Sequence, residues 1–590
     1  MLKAVRRFIA ALLLAACSEA QIIDANPTEE AFSQIIQDHW DLMLSEDPIL
    51  AESLGHDEAR GQLPDPSLEA YQNGVRQRRV LLSRLGGIDT SLLTNDEALN
   101  HSLLVMMLKD ATYGNAPGVR YLTINTYSAP HTRLARIAEQ TQLHREEDYQ
   151  SYMDRLARVP VYMEGAIERL RTAIEKGWTQ PCAAMTGFER TFETHIVDDP
   201  EASVFLTPFA KQGAVTDAAH ARRREDAAGL IRDGVIPAFE AFGAFYTDEY
   251  KPACREEVGL SSLPGGGRYY QHLTRVFTTT SLTPDEVHEI GLSEVARIRA
   301  EMRTVALKAG FERLSAFQNH LRTAPDYYPQ TAKDRLATAS TIAKTMDGKL
   351  VELFGHLPRM PYTIRPIPSD VAEGTTTAYY SQPAADGSQP GIYWLNTTKL
   401  ETRPLYELEA LTLHEAVPGH HLQIAISQEL DLPNFRRFGG FTAFTEGWGL
   451  YAERLGLEVG FYDAPETNFG RLSYEMWRAC RLVVDTGMHY KGWTRQRAID
   501  YMLENTGLSQ NNITREVDRY ITWPAQALAY KIGELKIREL RRQAEDALGQ
   551  DFDVRRFHDA VLENGAIPLS VLELKIEHFI AEERKRLRLP

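Results

Sequence analysis

His414, Glu415, His420 and His421 bring three imidazoles and a carboxylate into one stretch of eight residues. Neutral imidazole nitrogens suit Zn2+, and a glutamate beside a ligand suits a general base acting on water at the metal. The spacing is not the familiar H-E-x-x-H. On an unbroken helix the second ligand belongs at i+4, one turn on and on the same face, and that position is Pro418. His421 at i+7 shares the face but lies about 10 Å further along the axis at 1.5 Å per residue, too far for one ion. The helix must therefore break at Pro418-Gly419, after which either His420 or His421 can swing back.

A catalytic zinc takes three protein ligands, so one must come from elsewhere. Thr445-Glu446-Gly447-Trp448-Gly449-Leu450-Tyr451-Ala452-Glu453 opens an apolar helix on which Glu446 and Glu453 share a face, seven residues apart. They suit a ligand and a partner that supports the site from behind. Water attack on an amide also develops an oxyanion, which needs donors besides the metal. His489 and Tyr530 are the candidates, each a polar group in an otherwise apolar helical segment. A buried ring bonded to a backbone carbonyl explains either one nearly as well. Arg481 and Arg519 would clamp a substrate carboxylate bidentately, or equally pair with Asp485 and Asp518.

The elements that position these residues are mostly helical. Leu405, Leu408, Leu411 and Leu413 form the buried stripe of the helix leading into His414, which starts after Thr402-Arg403-Pro404. Earlier stripes, such as Tyr152, Leu156, Val159 and Ile167, read as core-facing helices. Thr283-Pro284-Asp285-Glu286 places an N-cap, a proline at N1 and a glutamate at N3 before a helix that Gly310 stops. Ser261 to Tyr270, with three successive glycines, reads as a flexible loop carrying a Tyr pair near a cleft. Between Leu357 and Asn396 six prolines break the helical text, and β-prone runs appear at Thr376–Tyr380 and Gly391–Asn396. The second of these, at a sheet edge above the metal, would hold a peptide as an added strand, with Tyr380, Tyr393 and Asn396 as the substrate-binding side chains.

Composition narrows the function classes. The 590 residues are 43% hydrophobic and 25% charged, an ordinary globular balance. Asp plus Glu outnumber Lys plus Arg by 81 to 65, which argues against nucleic acid as a partner. Lys3, Arg6 and Arg7 precede an apolar run from Phe8 to Ala16, too short to span a bilayer, and Leu14-Ala15-Ala16-Cys17 resembles a lipoprotein box. Residues 1–16 are then a signal peptide and Cys17 the lipid anchor of a secreted, periplasm-facing protein, with Ser18 pointing to the outer membrane. Cleavage would take the formal net charge from −16 to −19. In that oxidising setting Cys182 and Cys254 are the pair to be bonded, each in a loop or helix-edge context, and Cys480 is a buried thiol.

His414-Glu415-Ala416-Val417-Pro418-Gly419-His420-His421-Leu422-Gln423, followed by Glu446-Gly447-Trp448-Gly449-Leu450-Tyr451-Ala452-Glu453, resembles the DUF885 family. Leu263-Pro264-Gly265-Gly266, Arg481 to His489 and Pro524 to Tyr530 agree with it, so the likeness runs through most of the chain. It implies lipoproteins related to zincin metallopeptidases, with a mainly α, two-lobed helical fold, a deep cleft and a small sheet beside the active-site helix. By the same likeness one zinc ion sits on His414, His420 and Glu446 with Glu415 as base, and His421 and Glu453 stand as supporting or alternative ligands. One position departs from the family pattern: Gly449 stands where Ala is usual, a difference expected to matter little. Residues 17–350 are expected to form one cleft wall and 351–590 the catalytic region.

The function expected is zinc-dependent hydrolysis of peptide bonds. An amidase or deacylase acting on N-acyl amino acids or small amides would use the same residues. A non-catalytic binding lipoprotein would need the metal but not Glu415.

Overall fold

The computed structural model describes residues 27–589 apart from 127, 369–371, 373–375, 385–386 and 388, so Cys17 and the signal peptide lie outside the described residues. The chain is mainly helical, with one three-stranded sheet among the described residues. Helix α1 (Glu146–Glu175) turns Tyr152, Leu156, Val159, Met163 and Ile167 into an apolar core shared with Phe239 and Phe242. Helix α2 (Pro284–Lys308) begins with the capping box read from the sequence: the Glu286 N–H donates to Thr283 Oγ1 and Glu286 Oε2 accepts from the Thr283 N–H. It ends just before Gly310, whose φ of +86° lies in the left-handed region.

Apolar packing falls into two principal clusters. One spans residues 124–250. The larger unites Phe32, Leu103 and Leu104 with residues as distant as Leu572 and Ile576, so N-terminal helices pack into the same core as C-terminal ones. Cys182 and Cys254 are disulfide-bonded and Cys480 is a buried free thiol, as read from the sequence. Among the described residues no helix is long and apolar enough to cross a membrane.

Two local readings are corrected. Gly266-Gly267-Arg268-Tyr269-Tyr270 is not a loop, because a helix runs from Gly266 to Thr278. Gly265, at φ +73°, caps it, and a Cβ on Gly266 would lie 1.7 Å from the Leu260 carbonyl oxygen. Tyr269 and Tyr270 are therefore core residues. The sheet comprises β1 (Tyr362–Pro366), β2 (Ala378–Ser381) and β3 (Gly391–Leu395) in the order β1-β3-β2. β3 pairs in parallel with β1, Tyr362 opposite Gly391, and antiparallel with β2, Ala378 opposite Leu395. The Gly391–Asn396 segment is thus central and cannot accept a further strand. β1 escaped the sequence reading because Pro361 and Pro366 bracket it, which an outer strand tolerates.

The remaining elements carry the site: α3 (Leu408–Glu415), α4 (His420–Glu429), α5 (Thr442–Leu455), α6 (Pro465–His489), α7 (Gln510–Thr522) and α8 (Ala529–Leu548). α6 is buried without interruption from Phe469 to His489. Where α5 meets α8, Gly447 lies against Gly533 so closely that a Cβ on Gly447 would be 2.5 Å from the Gly533 Cα.

Candidate metal centre

The sequence demanded a break after Glu415, and the chain has one. α3 ends at Glu415, Ala416 and Gly419 take non-helical conformations, and α4 restarts at His420. The Val417–Pro418 peptide is cis. The reversing chain lies directly on the end of α3: a Cβ on Gly419 would come 1.9 Å from the His414 carbonyl oxygen, which only glycine avoids. The Trp448 indole N–H of α5 donates to the Pro418 carbonyl at 2.8 Å and fastens the turn.

The break brings His420 back beside His414, their rings 4.6 Å apart and nearly perpendicular. Glu446 Oε2 stands 3.4 Å from His420 Nε2 and 3.7 Å from His414 Nε2, and one ligand atom from each of the three residues lies within 4.8 Å of the others. These separations are long for hydrogen bonds, and Glu446 Oε2 is buried with no hydrogen-bond partner among the described residues. Two donors held tetrahedrally at about 2.0–2.1 Å from one ion stand about 3.4 Å apart, so the set fits a shared cation better than a hydrogen-bonded cluster. Burial alone would raise the Glu446 carboxyl, yet His420 and His414 hold it well below the usual range. His414 mirrors this: burial opposes its charge, but Glu446 and Glu453 raise it to about 9.

His421 takes no part. Its Nε2–H donates to the Met360 carbonyl at 3.0 Å, and Nδ1 accepts from the Tyr380 hydroxyl at 2.9 Å. Burial lowers it to about 4, so it is a neutral ring by which α4 packs against the sheet. Of the two, it is His420 that lies with His414 and Glu446.

Behind His414, Nδ1 lies 2.8 Å from Glu453 Oε1, and Arg478 Nη2 of α6 reaches the same oxygen at 3.3 Å. A carboxylate against the far nitrogen orients the ring, leaving Nε2 turned toward Glu446. Gly449 matters more here than the sequence suggested. A Cβ at that position would be 2.7 Å from His414 Cε1, so the imidazole occupies the space a side chain would fill. Glu415, next to His414 in sequence, is raised by burial while His414 and His420 pull the other way.

The other candidates separate clearly. The Tyr530 ring stacks on His414 at 6.3 Å and 14°, and its oxygen accepts from Arg519 Nη2 at 3.3 Å, which leaves the phenol proton to donate elsewhere. His489 is excluded as an oxyanion donor. Its Nε2–H donates to the Tyr520 carbonyl at 2.8 Å, its Nδ1 accepts the Leu260 N–H, and burial lowers it to about 3. Asn396 is spent on the backbone, donating to the Ala372 and Thr376 carbonyls and accepting from the Thr398 N–H. Tyr393 is wholly buried and so cannot line an open groove for substrate, while the Tyr380 ring stands 6.5 Å from that of His420. Arg481 pairs with Glu516 and Asp518 with Arg495, while Asp485 accepts from the Tyr270 hydroxyl, so neither sequence pairing holds.

Arg478 was missed, although a signal existed. Arg471, Glu475, Arg478, Arg481 and Asp485 recur every three or four residues along α6, a charged stripe that would ordinarily face solvent, and each is buried. Lys531, fully buried on α8, meets it with Glu475, Glu534 and Glu294 all 2.9 Å from its Nζ.

The chain belongs to the DUF885 family, described as bacterial protein of unknown function, whose model matches residues 48–576. Its architecture is similar to a putative lipoprotein from Colwellia psychrerythraea, with a TM-score of 0.89 and 28% identity over 94% of this chain and 99% of that one. It is also similar to a putative lipoprotein of unknown function from Shewanella oneidensis, with a TM-score of 0.67 and 19% identity over 93% and 99% of the two chains. Among curated proteins none matches the chain.

Proposed function

We propose that the protein is a zinc-dependent hydrolase of peptide bonds, with a two-lobed, zincin-like arrangement of its helices. The reading rests on one observation above all: the buried His414–His420–Glu446 set adjoins, at Glu415, a carboxylate that a purely structural metal site would not need. Zinc, when bound by those three residues, supplies Lewis-acid polarisation of the scissile carbonyl.

The chain's own groups do the rest. Glu415, its carboxyl raised by burial, takes a proton from the attacking water and returns it to the leaving amine. Tyr530 directs its phenol proton to the developing oxyanion, a donor of a kind worth about 10²–10³ in rate. β2 is an outer strand, so a peptide laid along it would run past Tyr380 toward His420. The Leu14–Cys17 sequence and the names of both structural relatives as putative lipoproteins support a secreted chain anchored by lipid at Cys17, facing the periplasm from the outer membrane.

The test is a comparison of zinc-loaded wild type and Glu415→Gln against peptide libraries and N-acyl amino acids. The variant should keep one zinc per chain and lose about 10²–10⁴ in peptide turnover. Equal turnover by the two proteins would defeat the mechanism, and cleavage of N-acyl amino acids alone would move the substrate to that class.

A further inference from the structure

A cavity of about 220 Å³ opens beside Thr377, the residue before β2, and is lined by Arg403, Tyr406, Glu407, Tyr474 and Trp477. Arg403 donates through Nε to the Thr398 carbonyl at 2.7 Å. Behind it Arg335, only 1% exposed, donates through Nε to the Asn396 carbonyl and through Nη1 to the Arg403 carbonyl, at 3.1 and 2.8 Å. Every hydrogen bond of these two guanidiniums among the described residues thus goes to a neutral carbonyl. The carboxylate whose field they share is Glu407, raised to about 7 by burial while Arg335, Arg478 and Arg403 pull it down. Arg478 already faces Glu453, so Glu407 is left to serve Arg335 and Arg403 together. Burial, and after it Arg335, lower Arg403 to about 10, as befits a cation short of counter-charge.

Two guanidiniums sunk into a wall with one carboxylate to share favour the entry of a second anion. The Tyr406 and Tyr474 hydroxyls add donors, since neither has a hydrogen-bond acceptor among the described residues. A cationic ligand is disfavoured. Arg478 already lies over the Tyr474 and Trp477 rings, 4.6 Å from each centroid, and Arg481 lies over Trp477 at 4.5 Å. The space equals about seven waters at about 30 Å³ each, several times what a carboxylate alone fills, so there is room for the stem that carries it. Aromatic walls with donors among them suit methylenes ending in a carboxylate.

Two routes join this cavity to His414 and His420. Thr377 precedes Tyr380 by three positions, about 10 Å of extended chain, and the Tyr380 ring stands 6.5 Å from that of His420. On the other wall the Arg481 guanidinium lies 4.5 Å from both the Trp477 and the Tyr530 centroids, and Tyr530 stacks on His414 at 6.3 Å. We propose that the cavity is a subsite for an acidic side chain of the substrate, its carboxylate held by Arg403 and the Tyr474 hydroxyl, about three residues along the peptide from the scissile bond. This rests on the hydrolase reading above and names the substrate class for it: peptides carrying Asp or Glu at that distance. A guanidinium fork matched to a carboxylate gives the geometric selectivity that a lone ammonium lacks.

The decisive comparison uses peptides blocked at both ends that carry Glu or Gln at each position in turn. Cleavage is followed in wild type, Arg403→Met, Arg403→Lys and Tyr474→Phe, and binding is measured by calorimetry in Glu415→Gln, where turnover is not required. At one position Glu should be preferred about 10–100-fold over Gln in both kcat/KM and affinity, the worth of a hydrogen bond to a charged partner. Arg403→Met should narrow that ratio to within about threefold, with Arg403→Lys between, and Tyr474→Phe, which keeps the ring, should lower it partway. Equal binding and equal cleavage of Glu and Gln peptides at every position would overturn the proposal while sparing the hydrolase reading. A preference for Glu undiminished in both Arg403→Met and Tyr474→Phe would overturn the assignment to this cavity. Tighter binding of a Glu peptide with no cleavage of any would sustain the subsite and fail the hydrolase. A Gln peptide with a free C-terminus that recovers the full preference would overturn the side-chain assignment in favour of the chain end.

Discussion

Gly447→Ala is the perturbation whose cost follows most directly from the structure. An added Cβ would lie 2.5 Å from Gly533 Cα, 2.6 Å from Gly533 C and 2.9 Å from the Glu534 nitrogen. All three are backbone atoms of α8, so no side chain can swing aside. Ordinary contact begins at 3.4 Å, and the helices must part by roughly 1 Å. Overpacking of this kind costs about 1–3 kcal/mol, against a gain of about 0.5–1 kcal/mol from replacing a mid-helix glycine. The larger effect falls on Glu446, the adjacent residue, because ligand distances tolerate only about 0.2 Å. Zinc affinity should drop about 10–100-fold, or about 1.4–2.7 kcal/mol. The assay is competition with a chelator of known affinity, together with thermal unfolding in excess chelator to separate folding from binding. Gly267→Ala is the control: it is also helical, but a Cβ there meets nothing within 4 Å, so it should be neutral or slightly stabilising. If Gly447→Ala matched Gly267→Ala in both zinc affinity and melting temperature, the close-contact reasoning would be refuted.

Two further outcomes are expected. Arg478→Met leaves the buried Glu453 without its guanidinium and should weaken zinc binding about 10–100-fold with Arg478→Lys intermediate, as read by chelator competition; unchanged affinity would remove Arg478 from the site. Burial raises Asp485 to about 7 from the ordinary value near 3.9, so its contribution to stability is complete below about pH 4 and is lost as pH rises through 7. Asp485→Asn keeps an oxygen for the Tyr270 hydroxyl and the Ala525 N–H, so its melting temperature should gain on wild type between pH 4 and 8, equivalent to up to about 4 kcal/mol. A constant difference across that range would contradict the assignment.

The His414–His420 arrangement was legible because its constraint is local. An i+4 proline between two histidines forbids a continuous ligand helix, and that geometry alone forces the reversal at Ala416–Gly419. His420 and His421 could not be separated on the same basis. What decides between them is the Met360 carbonyl, about sixty positions away and occupying the second ring. His489 and Asn396 look like functional polar residues in a string of letters and prove to be backbone clips, because satisfaction of a distant carbonyl leaves no trace at the residue itself. β1 hid behind prolines that an outer strand tolerates, and the Gly266 helix hid behind glycines that exist for a close approach to Leu260. The capping box at Thr283 and the Cys182–Cys254 bond, by contrast, were readable from short-range rules.

Lys531 follows Tyr530 directly on α8, and its ammonium lies among carboxylates drawn from α2 and α6 as well as α8 itself. A lysine with no solvent cannot wait half-docked, since separating such a charge from its partners costs about 3–5 kcal/mol. The docking of α8 is therefore coupled to that of α2 and α6, and the same docking sets Tyr530 on the face of His414. One buried charge thus ties the seating of three helices to the placing of the Tyr530 ring on His414.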